Sequence, residues 1–267
     1  MKELLFTRKN QKTKAVEKVG SLRMNSADDK TELFFYGDIC SAEWDKWSDE
    51  DRCPQNVADF LKNIDPMSPL DIYINSGGGD VFGGVAIYNQ LRRHEGYVTV
   101  IVDGLAASIA SVIAMAGDEL IMLSGAQMMI HKPWSLCVGD AEEMQRTAEL
   151  LDKIEENILD IYEKNAREGV TREQLRGLVN AETWMNGTEA AEVFNITVEQ
   201  GKAAAACRSE FFDRYKNMPE IKEAIPPEEG APPMEEKKQG SDLEEIEKIK
   251  QKKKLELELD LLGLRLF

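Results

Sequence analysis

Between Glu32 and residue 200, short apolar runs alternate with stretches whose apolar side chains recur every three or four positions. That is the pattern of strands alternating with helices. Strands are predicted at 33–36, 70–75, 98–102, 119–123 and 128–131. Helices are predicted at 56–64, 83–93, 106–115 and 141–166, with another opening at Thr171. The first helix places Val57, Phe60, Leu61 and Ile64 on one face; the 141–166 helix does so with Met144, Ala148, Leu151, Ile154, Ile158, Ile161 and Tyr162. Strand and helix alternating in this way predict an α/β domain built of βαβ units on a mainly parallel sheet, spanning 32–206.

The flanks lack this pattern. Residues 1–31 are polar, Lys-rich at first and without periodicity, which predicts a flexible N-terminal arm. Residues 207–267 form a charged linker and tail, with Pro226-Pro227, Pro232-Pro233 and runs of Glu and Lys from Met218 onward. Within the tail, Leu243, Ile246 and Ile249 fit a helix face, whereas 255–261 alternates like a strand. The two patterns conflict, so the tail is expected to be disordered or ordered only by a partner.

Composition narrows the classes of function. The 267 residues suit one domain with extensions, and 42% are hydrophobic against 31% charged. The longest apolar run, 104–117, is shorter than the roughly 18 to 20 residues of a membrane span. The first residues lack the apolar stretch of a signal peptide, so a cytoplasmic protein is expected. A net charge of −16 repels phosphate backbones and anionic lipid, which argues against nucleic-acid or membrane partners. Cys40, Cys53, Cys137 and Cys207 are scattered and only two histidines exist, so no metal set forms from close spacings. Reduced thiols, no metal and no cofactor are expected.

Three short segments carry candidate chemistry. Asn75-Ser76-Gly77-Gly78-Gly79-Asp80 joins a strand to a helix, and its glycines allow a close approach and free N–H groups for an anion or oxyanion. A tight turn with no chemical role explains the same residues, while a phosphate loop would need a following Gly-Lys-Ser/Thr. Gly104-Leu105-Ala106-Ala107-Ser108-Ile109-Ala110-Ser111 passes from strand to helix through small side chains, a setting that exposes a serine hydroxyl beside helix N–H groups. Close helix packing alone would also select those small residues. His131 ends an apolar strand two residues before Pro133, whereas His94 lies in a charged helix end. An imidazole is the base that makes a serine hydroxyl nucleophilic near neutral pH. Glu182, flanked by Trp184 and Met185, is one candidate for the carboxylate that orients such an imidazole.

In order and separation these segments resemble the proteolytic subunit of the Clp protease, peptidase family S14, and most of all the phage and prophage members that process capsid precursors. Residues 74–81 are similar to the family's Ile-Asn-Ser-Pro-Gly-Gly turn, 104–108 to its nucleophile segment, 129–133 to its histidine segment and 182–190 to the stretch holding its acid. The likeness covers about residues 32–200. It implies a ClpP/crotonase-like fold of stacked βαβ units with 141–166 as a protruding handle helix. It also implies a triad of Ser108, His131 and Glu182, an oxyanion hole from the N–H groups of Gly79 and Ile109, a peptide substrate and a ring-shaped homo-oligomer. Capsid or scaffold proteins are the implied partners, through the C-terminal tail. Two departures stand out: Glu182 where the family has Asp, and Gly77 where it has Pro. The N-terminal arm does not resemble the axial loops that work with an unfoldase, so ATP-independent hydrolysis is expected. Three rival readings are a crotonase acting on a coenzyme A thioester, a Ser-Lys dyad using Lys132, and a capsid assembly scaffold with a vestigial site.

Overall fold

The computed structural model describes residues 2–9, 16–24, 31–46, 48–123, 125–200, 209 and 212–218. In chain order the elements are β1 (Lys2–Lys9), β2 (Val16–Met24), β3 (Thr31–Phe35), α1 (Pro54–Lys62), β4 (Leu70–Ser76), α2 (Val81–Leu91), β5 (Val98–Ala107), α3 (Ile109–Ala114), β6 (Glu119–Leu123), β7 (Gln127–Ile130), α4 (Ala141–Asn165), α5 (Arg172–Asn180), β8 (Thr183–Asn186), α6 (Gly187–Val193) and β9 (Thr197–Glu199). Single 3-10 turns lie at Glu43–Asp45 and Phe212–Arg214. The described residues fall into two units, one within Met1–Ser135 and Glu149–Ile221, the other Leu136–Ala148.

In the larger unit, the strands run in the order β3-β4-β5-β6-β9, all parallel. The last residues of β5 leave β6 and pair in parallel with β7, and β8 closes antiparallel on β7. Sheet residues Ile72, Ile74, Val100, Val102 and Met122 and helix residues Val57, Ile87, Leu91, Ile109 and Ile113 form one core, each almost wholly buried. Each such side chain contributes roughly 1.5 to 3 kcal/mol over its exposed state, so the sheet is a rigid platform for the loops at its edge.

The predicted strands and the first two helices lie within a few residues of the observed elements. The third helix does not open at 106: β5 continues to Ala107, because Ala106 and Ala107 pair with Met128 and Met129, and α3 begins at Ile109. Ser108 is thus the hinge between them. Of the predicted α4 face, Ile154, Ile158, Ile161 and Tyr162 are buried, but Met144 is 52% exposed. β8, α6 and β9 escaped sequence reading, since three to seven residues are too few to establish a period.

The structure adds detail to the two flanks. Part of the 1–31 segment forms an antiparallel ribbon, with Lys2 opposite Met24 and Lys9 opposite Val16. Cross-strand N–H···O=C bonds form between polar strands too, so such a ribbon leaves no apolar period in the sequence. The domain also extends past 206: Ser209 and Phe212–Met218 pack on the larger unit. The rest of the predicted tail, from 219, lies outside the described residues, as does Cys207. Cys40, Cys53 and Cys137 are free thiols.

In the smaller unit, Asp140 and Glu143 form reciprocal caps at the start of α4: each carboxylate accepts the other's backbone N–H at 3.0 Å. The Thr147 hydroxyl donates to Cys137 Sγ at 3.2 Å. Among the described residues, no helix is long and apolar enough to cross a membrane.

Candidate active site

Ser108 adopts φ 55° and ψ −127°, a backbone state that only a forced turn gives a non-glycine residue. Three restraints hold it there. Its N–H donates to Met129 O at 2.9 Å, tying the turn to β7. The Ser111 hydroxyl donates to Ser108 O at 2.5 Å and is itself hydrogen-bonded to the wholly buried Tyr162 hydroxyl at 2.8 Å, so α4 braces the turn from below. Gly78, at φ +101°, lies so close that a Cβ there would stand 2.7 Å from Ser108 Cβ.

The tie to β7 also brings the histidine into place, because His131 follows Met129 by two residues. Its Nε2 lies 2.6 Å from Ser108 Oγ. Burial pushes the His131 pKa below the ordinary histidine value, and the negative charge of Glu182 partly opposes that shift. The ring is therefore neutral at neutral pH and able to accept the serine proton.

The glycine turn is held as firmly. Ile39 N–H donates to Gly78 O at 2.8 Å and Asp80 N–H to Ile39 O at 2.7 Å, a single parallel bridge between Ile39 and Gly79. The Ser76 hydroxyl donates to Gly37 O at 2.6 Å and accepts from Gly78 N–H at 3.2 Å. Gly79 sits at φ +144°, and a Cβ there would meet Ile39 O at 2.1 Å. Asp80 then caps α2 by accepting from Gly83 N–H at 2.6 Å. Among the described residues, no acceptor takes the N–H of Gly79 or that of Ile109.

Glu182 is brought near but not joined. It too has positive φ, 51°, and its Oε1 accepts from Asn217 N–H at 2.7 Å. The Asn217 amide also donates to Ala181 O at 2.8 Å. Among the described residues, no hydrogen bond links Glu182 to His131; the two interact through charge alone. The Lys132 ammonium is paired 3.1 Å from the buried Glu155 carboxylate, which also binds Arg176 at 3.2 Å. A lysine base would need a neutral, unpaired amine.

Residues that sequence reading passed over complete the surroundings. Tyr215 lies edge-on to His131 with ring centroids 5.3 Å apart, and Ile39, Ser76, Ser111 and Tyr162 hold the two turns. Their roles rest on partners far off in the sequence: Ser76 bonds Gly37, Ser111 bonds Tyr162 and Tyr215 bonds Gly77.

The family model described as Clp protease matches residues 47–194. The ATP-dependent Clp protease proteolytic subunit of Bacteroides fragilis is 31% identical over 135 residues, 50% of this chain and 64% of that protein. Proteolytic subunit 1 of Chlamydia muridarum is 31% identical over 137 residues, 50% of this chain and 70% of that one. The match thus spans just under two thirds of the Bacteroides protein. Among solved structures, a ClpP1 mutant from Listeria monocytogenes superposes with a TM-score of 0.52 at 23% identity, over 64% of this chain and 92% of that one. At that identity the likeness establishes the fold.

Proposed function

The chain belongs to the Clp protease family, and from that premise we propose that it is a serine endopeptidase working through an acyl-enzyme. The observation that carries this reading is the 2.6 Å hydrogen bond between Ser108 Oγ and His131 Nε2 at a backbone-strained strand-to-helix turn. In the reaction, Ser108 Oγ attacks the scissile carbonyl while His131 Nε2 takes its proton, then returns it to the leaving amine. Water repeats the sequence on the ester. The N–H groups of Gly79 and Ile109 face the developing oxyanion, each contributing on the order of 3 kcal/mol to the barrier difference. Glu182 stabilises the imidazolium as it forms. A crotonase would use such N–H groups without any serine and imidazole in contact, so the pair favours the peptidase.

A fluorophosphonate tests the reading. The expected result is a single adduct on Ser108 that His131→Ala abolishes; an adduct elsewhere, or none in the folded protein, overturns it.

The pH profile follows from the His131 shift. Protonation of the imidazole removes the base, so kcat/KM rises with pH through the His131 pKa, with its midpoint below the ordinary value of about 6.5. The Glu182 charge raises that pKa, so Glu182→Gln is expected to lower the midpoint further and to reduce turnover. A midpoint that stays put would remove Glu182 from the site.

The finer reading is hydrolysis uncoupled from an ATP-driven unfoldase, with phage capsid or scaffold precursors as substrates. It is supported by the likeness of the motif segments to phage members. Failure of the purified chain to degrade an unfolded protein without nucleotide counts against the first part, and an intact capsid precursor after co-expression counts against the second. A homo-oligomeric ring is supported by Leu136, Val138 and Met144, large apolar side chains between 52% and 69% exposed. A monomer in sedimentation velocity overturns it.

A further inference from the structure

Beside the serine and histidine lies a small apolar pocket separate from the main core, lined by Leu105, Ala107, Met129 and Trp184. Ala107 immediately precedes Ser108, and Met129 is two residues before His131, so the pocket adjoins the reacting groups. The chain itself fills it. Tyr215 enters with 9% of its surface exposed, and Phe212 and Met218 pack around it. Its ring is edge-on to His131 at 5.3 Å and to Trp184 at 5.9 Å. Its hydroxyl donates to Gly77 O.

The segment is fastened on both sides of the site. Ser209 Oγ donates to Asp38 Oδ1 at 2.6 Å, and its side chain covers Gly77 so closely that a Cβ there would lie 2.3 Å from it. Arg214 stacks over Trp134 at 4.7 Å. At the far end, Asn217 takes the Glu182 carboxylate with its backbone N–H and the 181–182 carbonyls with its amide.

We propose that Ser209 and residues 212–218 are an internal occupant of the substrate cleft, with Tyr215 in the side-chain subsite, and that a peptide bearing an aromatic side chain must displace them to reach Ser108. The inference rests on the peptidase reading and deepens it, naming the class of side chain the subsite takes. The strap acts twice: Tyr215 occupies the pocket beside His131, and Asn217 holds the carboxylate nearest that histidine. Reactivity of Ser108 toward an outside molecule then scales with the fraction of protein in which the strap is out.

The test uses the full chain and the labelling rate of Ser108 by peptidyl diphenyl phosphonates. Tyr215→Ala is expected to raise that rate at least about tenfold, as the strapped fraction falls. Gly77→Ala is expected to raise it as well: its φ lies outside the left-handed region, and the added Cβ displaces Ser209 without altering the pocket wall. Tyr215→Phe keeps the ring and gives up the hydroxyl's bond to Gly77, so a smaller rise is expected even if ring removal unfolds the unit. In each opened variant, a probe with a phenylalanine-type side chain is expected to react faster than one with an aspartate-type side chain. Equal rates in parent and variants, with Ser108 labelled in all, overturn the strap while the peptidase reading stands. Equal rates for the two probes overturn the aromatic subsite. Absence of labelling on Ser108 in every protein overturns the peptidase reading and the strap with it.

Discussion

Ser108→Ala is expected to lower kcat/KM for an unstructured peptide by about four orders of magnitude or more, and His131→Ala to do nearly the same. The double variant should fall little further. The reason is mechanical: a serine hydroxyl without its base is almost inert, and an imidazole without the hydroxyl has nothing to activate, so the two groups at 2.6 Å act as one device. Non-additive loss is therefore the diagnostic result. Residual hydrolysis from the oxyanion N–H groups and peptide binding should survive in all three proteins. Independent, multiplying losses from the two substitutions would mean that the hydroxyl and imidazole serve separate steps, contrary to the proposed mechanism.

Gly79→Ala is the second large effect, and it falls on fold and site together. At φ +144° an L side chain is strained by roughly 1 to 3 kcal/mol. The new Cβ would in addition meet Ile39 O at 2.1 Å, a backbone atom with no rotamer to change, adding a packing cost of similar size. Urea unfolding should register a loss on the order of 3 kcal/mol or more. The strain is expected to relax by parting the Ile39 bridge, which swings the Gly79 N–H out of line, so turnover should drop by more than the loss of folded protein explains. Ala86→Gly, on the helix that follows, gives the comparison of a backbone change outside the turn. If Gly79→Ala lost stability while the folded fraction kept full turnover, Gly79 would be a structural glycine with no share in the oxyanion site.

The two departures from the family motif read differently once the chain is folded. Gly77 stands where the family has Pro, and Ser209 lies over that position and leaves no room for a Cβ. Glu182 stands where the family has Asp, and its carboxylate is held by Asn217, 35 residues onward. Tyr215 had no visible role in a segment read as linker, because its partners Gly77, His131 and Trp184 are scattered along the chain.

Local information determined the alternation of strands and helices between 31 and 180, since burial on a sheet face or helix face imposes a period of two or of 3.6 on adjacent residues. It also determined that Ser108 and His131 bracket the α3–β6–β7 segment, since each lies within a short motif of its own. Only the tertiary structure decided that β5 leaves β6 for β7, which carries His131 Nε2 to the serine, and that Tyr215 packs against His131 and Trp184. Those outcomes depend on pairings between residues far apart in the chain, and such contacts leave no periodic trace in the sequence around either partner.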